Sequence, residues 1–326
     1  MTHARRSAFR VIAVALLTAV TQGTAPVAAQ SPGDLRSECT ASGGTLDRCT
    51  DVAIGARALV GEFSLLAGGG SEIPGSASTL GTKIGNRPRL SASLRFAAGW
   101  VGLPDVFDEG LGTAGDVSFL VPVLQLGLAA GLLDGFSPMA TVGGVLSLDL
   151  FGSAALAMPP SSQGFEGNST GVTVGARVGL VRESFTLPGV SVSVARRVMG
   201  ATRLGDMELG DPAYIEIRPS VSSMRATIGK DLFGIGVLAG VGWDRASSDT
   251  VLEVQGPGSV PVRVASPLDA TRRLYFGSAA MHFVLLQVSL EGGWAEGYDP
   301  VPGGAGSGFD PTGGTPFGGL SLRLTP

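Results

Sequence analysis

The chain carries few groups able to do acid–base or nucleophilic chemistry. Two histidines occur in 326 residues. His3 sits in a leader-like start, and His282 stands in "AAMHF" beside a turn signal. A serine nucleophile needs a base next to it, so a hydrolase would have to be built on His282. For a carboxylate-only mechanism, spacing singles out no pair. Cys39 and Cys49 lie close together in "ECTASGGTLDRC". In an exported chain they read as a disulfide, stabilising by about 3 kcal/mol for a loop of this order. One further histidine and no second cysteine pair do not make a metal site. Gly110, Gly112 and Gly115 fit G-x-G-x-x-G but precede a strand instead of joining strand to helix. "GGAGSGFD" at 303–310 resembles a calcium-binding glycine repeat but occurs once. No catalytic residue, metal or cofactor is expected.

What remains is charge set on one side of alternating segments. Arg89, Arg95, Arg177, Arg218, Arg225 and Arg323, with Asp149, Glu216, Asp244 and Glu291, occupy the less apolar face of period-two runs. Arginine and carboxylate on facing strands form charge-assisted, often bidentate, hydrogen bonds. If these faces enclose a lumen, three uses of it stand open: a space filled by ion pairs, a narrow polar or anion-favouring pore, and a pocket for a small solute or hydrophobic ligand capped by an N-terminal helix.

The elements that must carry these residues come in three parts. Residues 1–29 hold Arg5, Arg6 and Arg10, an apolar run from Val11 to Val20, and small residues ending at Val27 and Ala29, the layout of a cleaved secretory signal. Residues 30–86 hold the cysteines and one short amphipathic helix, predicted over 50–66 from Val52, Leu59, Phe63 and Leu66 on one face and ended by Gly68, Gly69 and Gly70. An irregular linker follows. From residue 87 the period is two. In "RLSASLRFAAGW", Leu90, Leu94, Phe96 and Trp100 oppose Arg89, Ser91, Ser93 and Arg95. Phe136, Phe185, Phe233 and Phe283 fall in or beside short turns, at spacings of 49, 48 and 50. Two strands and a longer loop lie between successive turns, with loops at about 102–114, 158–170, 200–212, 247–268 and 297–315. That makes five hairpins and ten strands, within a range of eight to twelve. Phase breaks in the noisier strands call for bulges near Gln125 and Ser222.

The sheet is expected to close into an antiparallel transmembrane β-barrel over 87–326, an all-β fold with a short N-terminal helix. Strands of about 10–14 residues suit a tilted bilayer crossing. The apolar face carries almost no charge, and short turns alternate with long loops, as in outer-membrane barrels. Lipid offers backbone groups no partner, so a spanning sheet must close on itself. The four phenylalanines would then lie at the periplasmic interface, and Trp100, Trp243 and Trp294 at the outer one. A net charge of −4 argues against nucleic acid. The chain resembles bacterial outer-membrane β-barrel proteins as a class. The helix before the barrel resembles, more distantly, the plugged outer-membrane fatty-acid transporters, although "LSLRLTP" lacks the terminal aromatic residue common in such barrels. The resemblance implies an outer-membrane, porin-like monomer in contact with lipid, serving passive permeation or a structural or surface role. The rivals are a secreted β-sandwich that binds a ligand or matrix, and a barrel hydrolase. The first discriminator is whether the apolar face meets lipid or a second sheet.

Overall fold

A computed structural model describes residues 31–83, 87–107, 115–138, 143–255, 260–298 and 309–325. The signal segment and its cleavage site lie outside the described residues. Two helices come first, α1 (Pro32–Ala41) and α2 (Leu46–Leu66). The strands are β1 (Thr82–Lys83), β2 (Arg87–Pro104), β3 (Asp116–Leu133), β4 (Ser147–Ala157), β5 (Ser169–Val181), β6 (Gly189–Met199), β7 (Thr202–Leu204), β8 (Ala213–Leu232), β9 (Ile235–Gln255), β10 (Pro261–Phe283), β11 (Leu286–Ala295) and β12 (Thr315–Leu324).

Ten of these strands close a ring. Each long strand pairs antiparallel with its neighbours in chain order, β6 pairing with β8, and β12 returns to pair with β2, Leu320 opposite Phe96. β1 and β7 are short additions to β2 and β8. Closure satisfies the backbone without an edge, which is the condition for a sheet in hydrocarbon.

The outer surface has a belt. On β9, Ile235, Val237, Ala239, Val241 and Trp243 face outward. This run rises about 26 Å along the strand, or about 20 Å across a bilayer at an ordinary tilt. Leu126, Leu128, Val172, Val174 and Leu290 are among the most exposed apolar side chains elsewhere on the ring. Trp243 is flanked across the sheet by Met224 and Arg273, and Trp294 faces Tyr275. Trp100, Trp243 and Trp294 thus rim the belt at the long-loop end. Phe136, Phe185, Phe233 and Phe283 are exposed at the short-turn end, the periplasmic end in such barrels.

Above Trp243 the sense of alternation inverts. Arg245, Ser247, Asp249 and Glu253 now face outward, while Ala246, Leu252 and Val254 are buried inside. The predicted loop at 247–268 is therefore mostly strand. β9 and β10 run on together past the belt, with Ser247 opposite Asp269 and Val254 opposite Val262. Its polar residues belong to a wall that has left the membrane. The bulges predicted near Gln125 and Ser222 are also absent. Register is continuous through both, and shifts instead at Gly131/Leu133 and Gly179/Val181. Those strands looked out of phase because their upper lumen face is apolar: Phe119, Val121 and Val123 on β3, Ile215, Ile217 and Val221 on β8.

The reason is α2. The prediction of one helix over 50–66 is corrected to two. α1 starts at a capping box in which Ser31 and Asp34 bond reciprocally, and α2 begins earlier, at Leu46. α2 is buried on all sides rather than on one face, because the upper barrel wraps it. Its core is shared with the wall and with Phe165, Leu204 and Tyr298 from the outer connections.

The belt predicts a depth-dependent cost. Leu290→Arg, near mid-belt, should destabilise the folded barrel by about 2–4 kcal/mol. Ser247→Arg, above the rim, should change it by less than about 0.5 kcal/mol. Denaturant titration into lipid vesicles measures both.

Candidate functional site

The candidate site is the lumen, and its chemistry changes along the axis. In the upper half, α2 lies against an apolar wall. The helix enters from the long-loop end, where the α1–α2 turn lies beside Val262, and the Cys39–Cys49 disulfide joins the two helices with Cα atoms 5.7 Å apart. Of the three acids on α2, Asp47, Asp51 and Glu62, only Glu62 is buried. It lies 3.0 Å from Arg272 and accepts a hydrogen bond from Thr315 at 2.8 Å. The Arg272 guanidinium also stacks 4.7 Å over the Tyr298 ring.

In the lower half, residues 67–81 descend through the lumen as an irregular strap. The strap has no secondary structure to satisfy its backbone, so the wall supplies partners. Arg225 on β8 forks onto Asp244 of β9 at 2.6 and 2.9 Å, and also donates to the carbonyls of Gly68 and Gly70 at 3.2 and 3.3 Å. Arg177 on β5 pairs with Asp149 on β4 at 2.9 Å and donates to the carbonyls of Ser76 and Ser78 at 2.8 and 2.7 Å. Asp149 in turn accepts from the Leu80 N–H at 3.0 Å. Arg95 of β2 pairs with Glu291 of β11, which accepts from the Ser71 N–H at 3.0 Å. Gln287 donates to the Gly75 carbonyl at 2.6 Å. At three of these stations, those of Arg225, Arg177 and Arg95, a wall arginine is neutralised by a wall carboxylate and the same cluster bonds the strap backbone; Gln287 adds an uncharged bond.

The glycines permit this approach. Gly70 has φ +86°, and a Cβ there would overlap the Glu291 carboxylate; one on Gly68 would overlap the Arg197 guanidinium. "AGGG" both ends the helix and lets the chain pass between two charged groups.

Of the residues read as a lumenal charge network, Arg95, Arg177, Arg225, Arg323, Asp149, Asp244 and Glu291 are buried inside, and Arg89 lies at the periplasmic mouth, donating to the Leu80 carbonyl at 3.3 Å. Glu216 and Arg218 are a correction. Both sit on the outer face of β8, where they pair with each other at 2.7 Å, and Glu216 also takes Arg203 at 3.0 Å. They lie above the belt, where inside and outside exchange polarity. Among the lumenal charges that the sequence did not single out are Glu62, Glu72, Arg197 and Arg272. Glu72 accepts from Ser223 at 3.1 Å and faces Arg197 at 3.7 Å. A signal existed for Arg197, which alternates in phase with Ser191 and Ser193, and for Glu62, the lone acid in "ALVGEFSLL".

His282 lies by the β10–β11 turn at the mouth, its backbone N–H donating to the Gly234 carbonyl. Nearby, burial foremost and then the Asp231 charge push the Glu183 carboxyl above its usual range, against the Asp231 N–H bond and the charges of Lys230 and His282.

No protein-family model matches the chain, and no curated protein matches it in sequence. Among solved structures it is similar to the translocator domain of the autotransporter NalP from Neisseria meningitidis, with TM-score 0.39 and 8% identity over 73% of this chain and 87% of that one. It is similar to the outer membrane protease OmpT from Escherichia coli, with TM-score 0.37 and 10% identity over 77% and 100%. It is also similar to the toluene transporter TodX from Pseudomonas putida, with TM-score 0.31 and 10% identity over 73% and 89%. The architecture is argued from the chain itself. A single-chain antiparallel barrel with an even strand number, an apolar belt and aromatic rims is that of bacterial outer-membrane proteins, and this chain is an outer-membrane β-barrel.

The Arg225–Asp244 fork predicts asymmetric costs. Arg225→Met leaves a buried carboxylate unpaired and should destabilise by about 3–5 kcal/mol. Arg225→Met with Asp244→Leu should recover much of the loss, leaving mainly the strap bonds unmade. Unfolding in detergent micelles, followed by tryptophan fluorescence, measures the cycle.

Proposed function

We propose that this protein is a closed, non-enzymatic outer-membrane scaffold, exported by removal of residues 1–29. Residues 30–86 are its constitutive plug and residues 87–326 its barrel. It acts as a monomer in lipid and offers its long connections and the disulfide-joined helical hairpin to the outside. Passive permeation, the porin-like alternative, is the less supported reading. The observation that carries the choice is the apolar upper lumen wall. Phe119, Ile215, Ile217, Leu252 and Leu268 are buried against or around α2. Each would lose about 1.5–3 kcal/mol of burial if water replaced the helix. A pore wall is polar in barrels that conduct; this one is built as a protein core.

The non-enzymatic reading draws support from the position of His282. It sits at the periplasmic turn, with Asp231 and Glu183 near it and Arg89 and Arg323 lining the same small cavity, remote from the exposed outer connections.

Planar-bilayer recording of the full chain tests the proposal. The native protein should show no sustained conductance, and Arg177→Ala with Arg225→Ala, which frees the strap at two stations, should show brief openings. Steady stepwise conductance of the native protein would return the permeation reading.

A further inference from the structure

Six arginines are buried among the described residues: Arg95, Arg177, Arg197, Arg225, Arg272 and Arg323. Five have a carboxylate within ion-pair distance. Arg323 has none. It is 8% exposed, and its Nε and Nη1 are buried without a hydrogen-bond partner among the described residues. Burying an uncompensated guanidinium is costly, and the other five show how this chain avoids that cost.

Arg323 lines a cavity of about 200 Å³ at the periplasmic mouth, where the strap leaves the lumen. Among the described residues, the other charged or titratable groups lining it are Arg89 and His282, and none of its lining side chains is a carboxylate. Asp149 and Asp231 are the carboxylates whose field reaches Arg323, opposed by that of Arg177. Asp149 is already held by Arg177 and the Leu80 N–H, and Asp231 lines the adjoining larger cavity instead. Across the strand pair, Gln287 has a free Oε1. A bond to it would occupy one of five guanidinium donors and would neutralise no charge.

We propose that this cavity is a binding site for a small oxyanion from the periplasm, a carboxylate or phosphate, held by Arg323 at its floor and Arg89 at its rim, with His282 beside them. The anion supplies the sixth counter-charge. A guanidinium fork suits the paired oxygens of either group, and a cavity of this size admits a small metabolite anion but not a folded partner. The site is independent of whether the upper lumen is closed.

The test is titration calorimetry on the full-length protein in detergent, in a chloride buffer of constant ionic strength, with inorganic phosphate in one arm and acetate in the other. Saturable binding in either arm, weakened about tenfold or more by Arg323→Gln and by Arg89→Gln, is the expected result, a loss of charge-assisted bonds of this kind. The arm that binds identifies the oxyanion. Arg89 lies on the exposed rim, so Arg89→Gln keeps the test decisive if Arg323→Gln does not fold. Failure of the native protein to bind either anion saturably would overturn the proposal, and so would binding that the folded variants leave unchanged.

Discussion

A buried guanidinium has one charge and five N–H donors, and a carboxylate that cancels the charge leaves donors over. The lumen of this barrel is organised around that surplus. Arg225 and Arg177 each spend part of the fork on a wall carboxylate and the rest on carbonyls of the strap. The wall thereby neutralises itself and holds a segment that has no hydrogen-bonding ladder of its own. The strap in turn fills the space that ten strands enclose. Neither is stable in this form alone. An empty lower lumen would leave donors unmet in a low-dielectric site, and a free strap would be a flexible Gly- and Ser-rich linker.

The same ring meets three surroundings along its axis. At the belt, lipid lies outside and charge inside. Above Trp243, water lies outside and the apolar helix inside. At the periplasmic mouth, turns carry exposed phenylalanines around a polar opening. A strand that passes through all three must exchange its apolar and polar faces without changing period. β9 does so at Trp243, and β8 does so between Met224 and Ser222. The aromatic rim is where the two regimes meet, which accounts for a large amphipathic side chain at that level.

Much of this was legible in the sequence. Alternation, turn spacing and lopsided loops were enough for ten strands and a closed ring. The register of Arg95, Arg177, Arg225, Asp244 and Glu291 followed from period two. Glu216, Arg218 and the 247–268 stretch were misread for one shared reason: a period-two pattern fixes which residues share a face, but not which face meets the interior. That sign depends on the medium outside, and the medium changes mid-strand. Residues 67–81 read as a linker because Gly, Ser and Pro describe a chain without internal structure. They cannot show that partners up to 220 residues away will supply one. α1 was visible in principle, since "SPGD" is a capping box with proline at the first turn.

The central claim is that residues 46–81 are as much a part of the folded barrel as its strands. Hydrogen exchange of the full chain in lipid vesicles, resolved by peptide mass spectrometry, measures this directly. Peptides covering α2 and the strap, including the amides of Ser71 and Leu80, should stay protected as long as those of β4 and β9. Exchange of those peptides at the rate of the exposed turn around Phe185 would contradict the account.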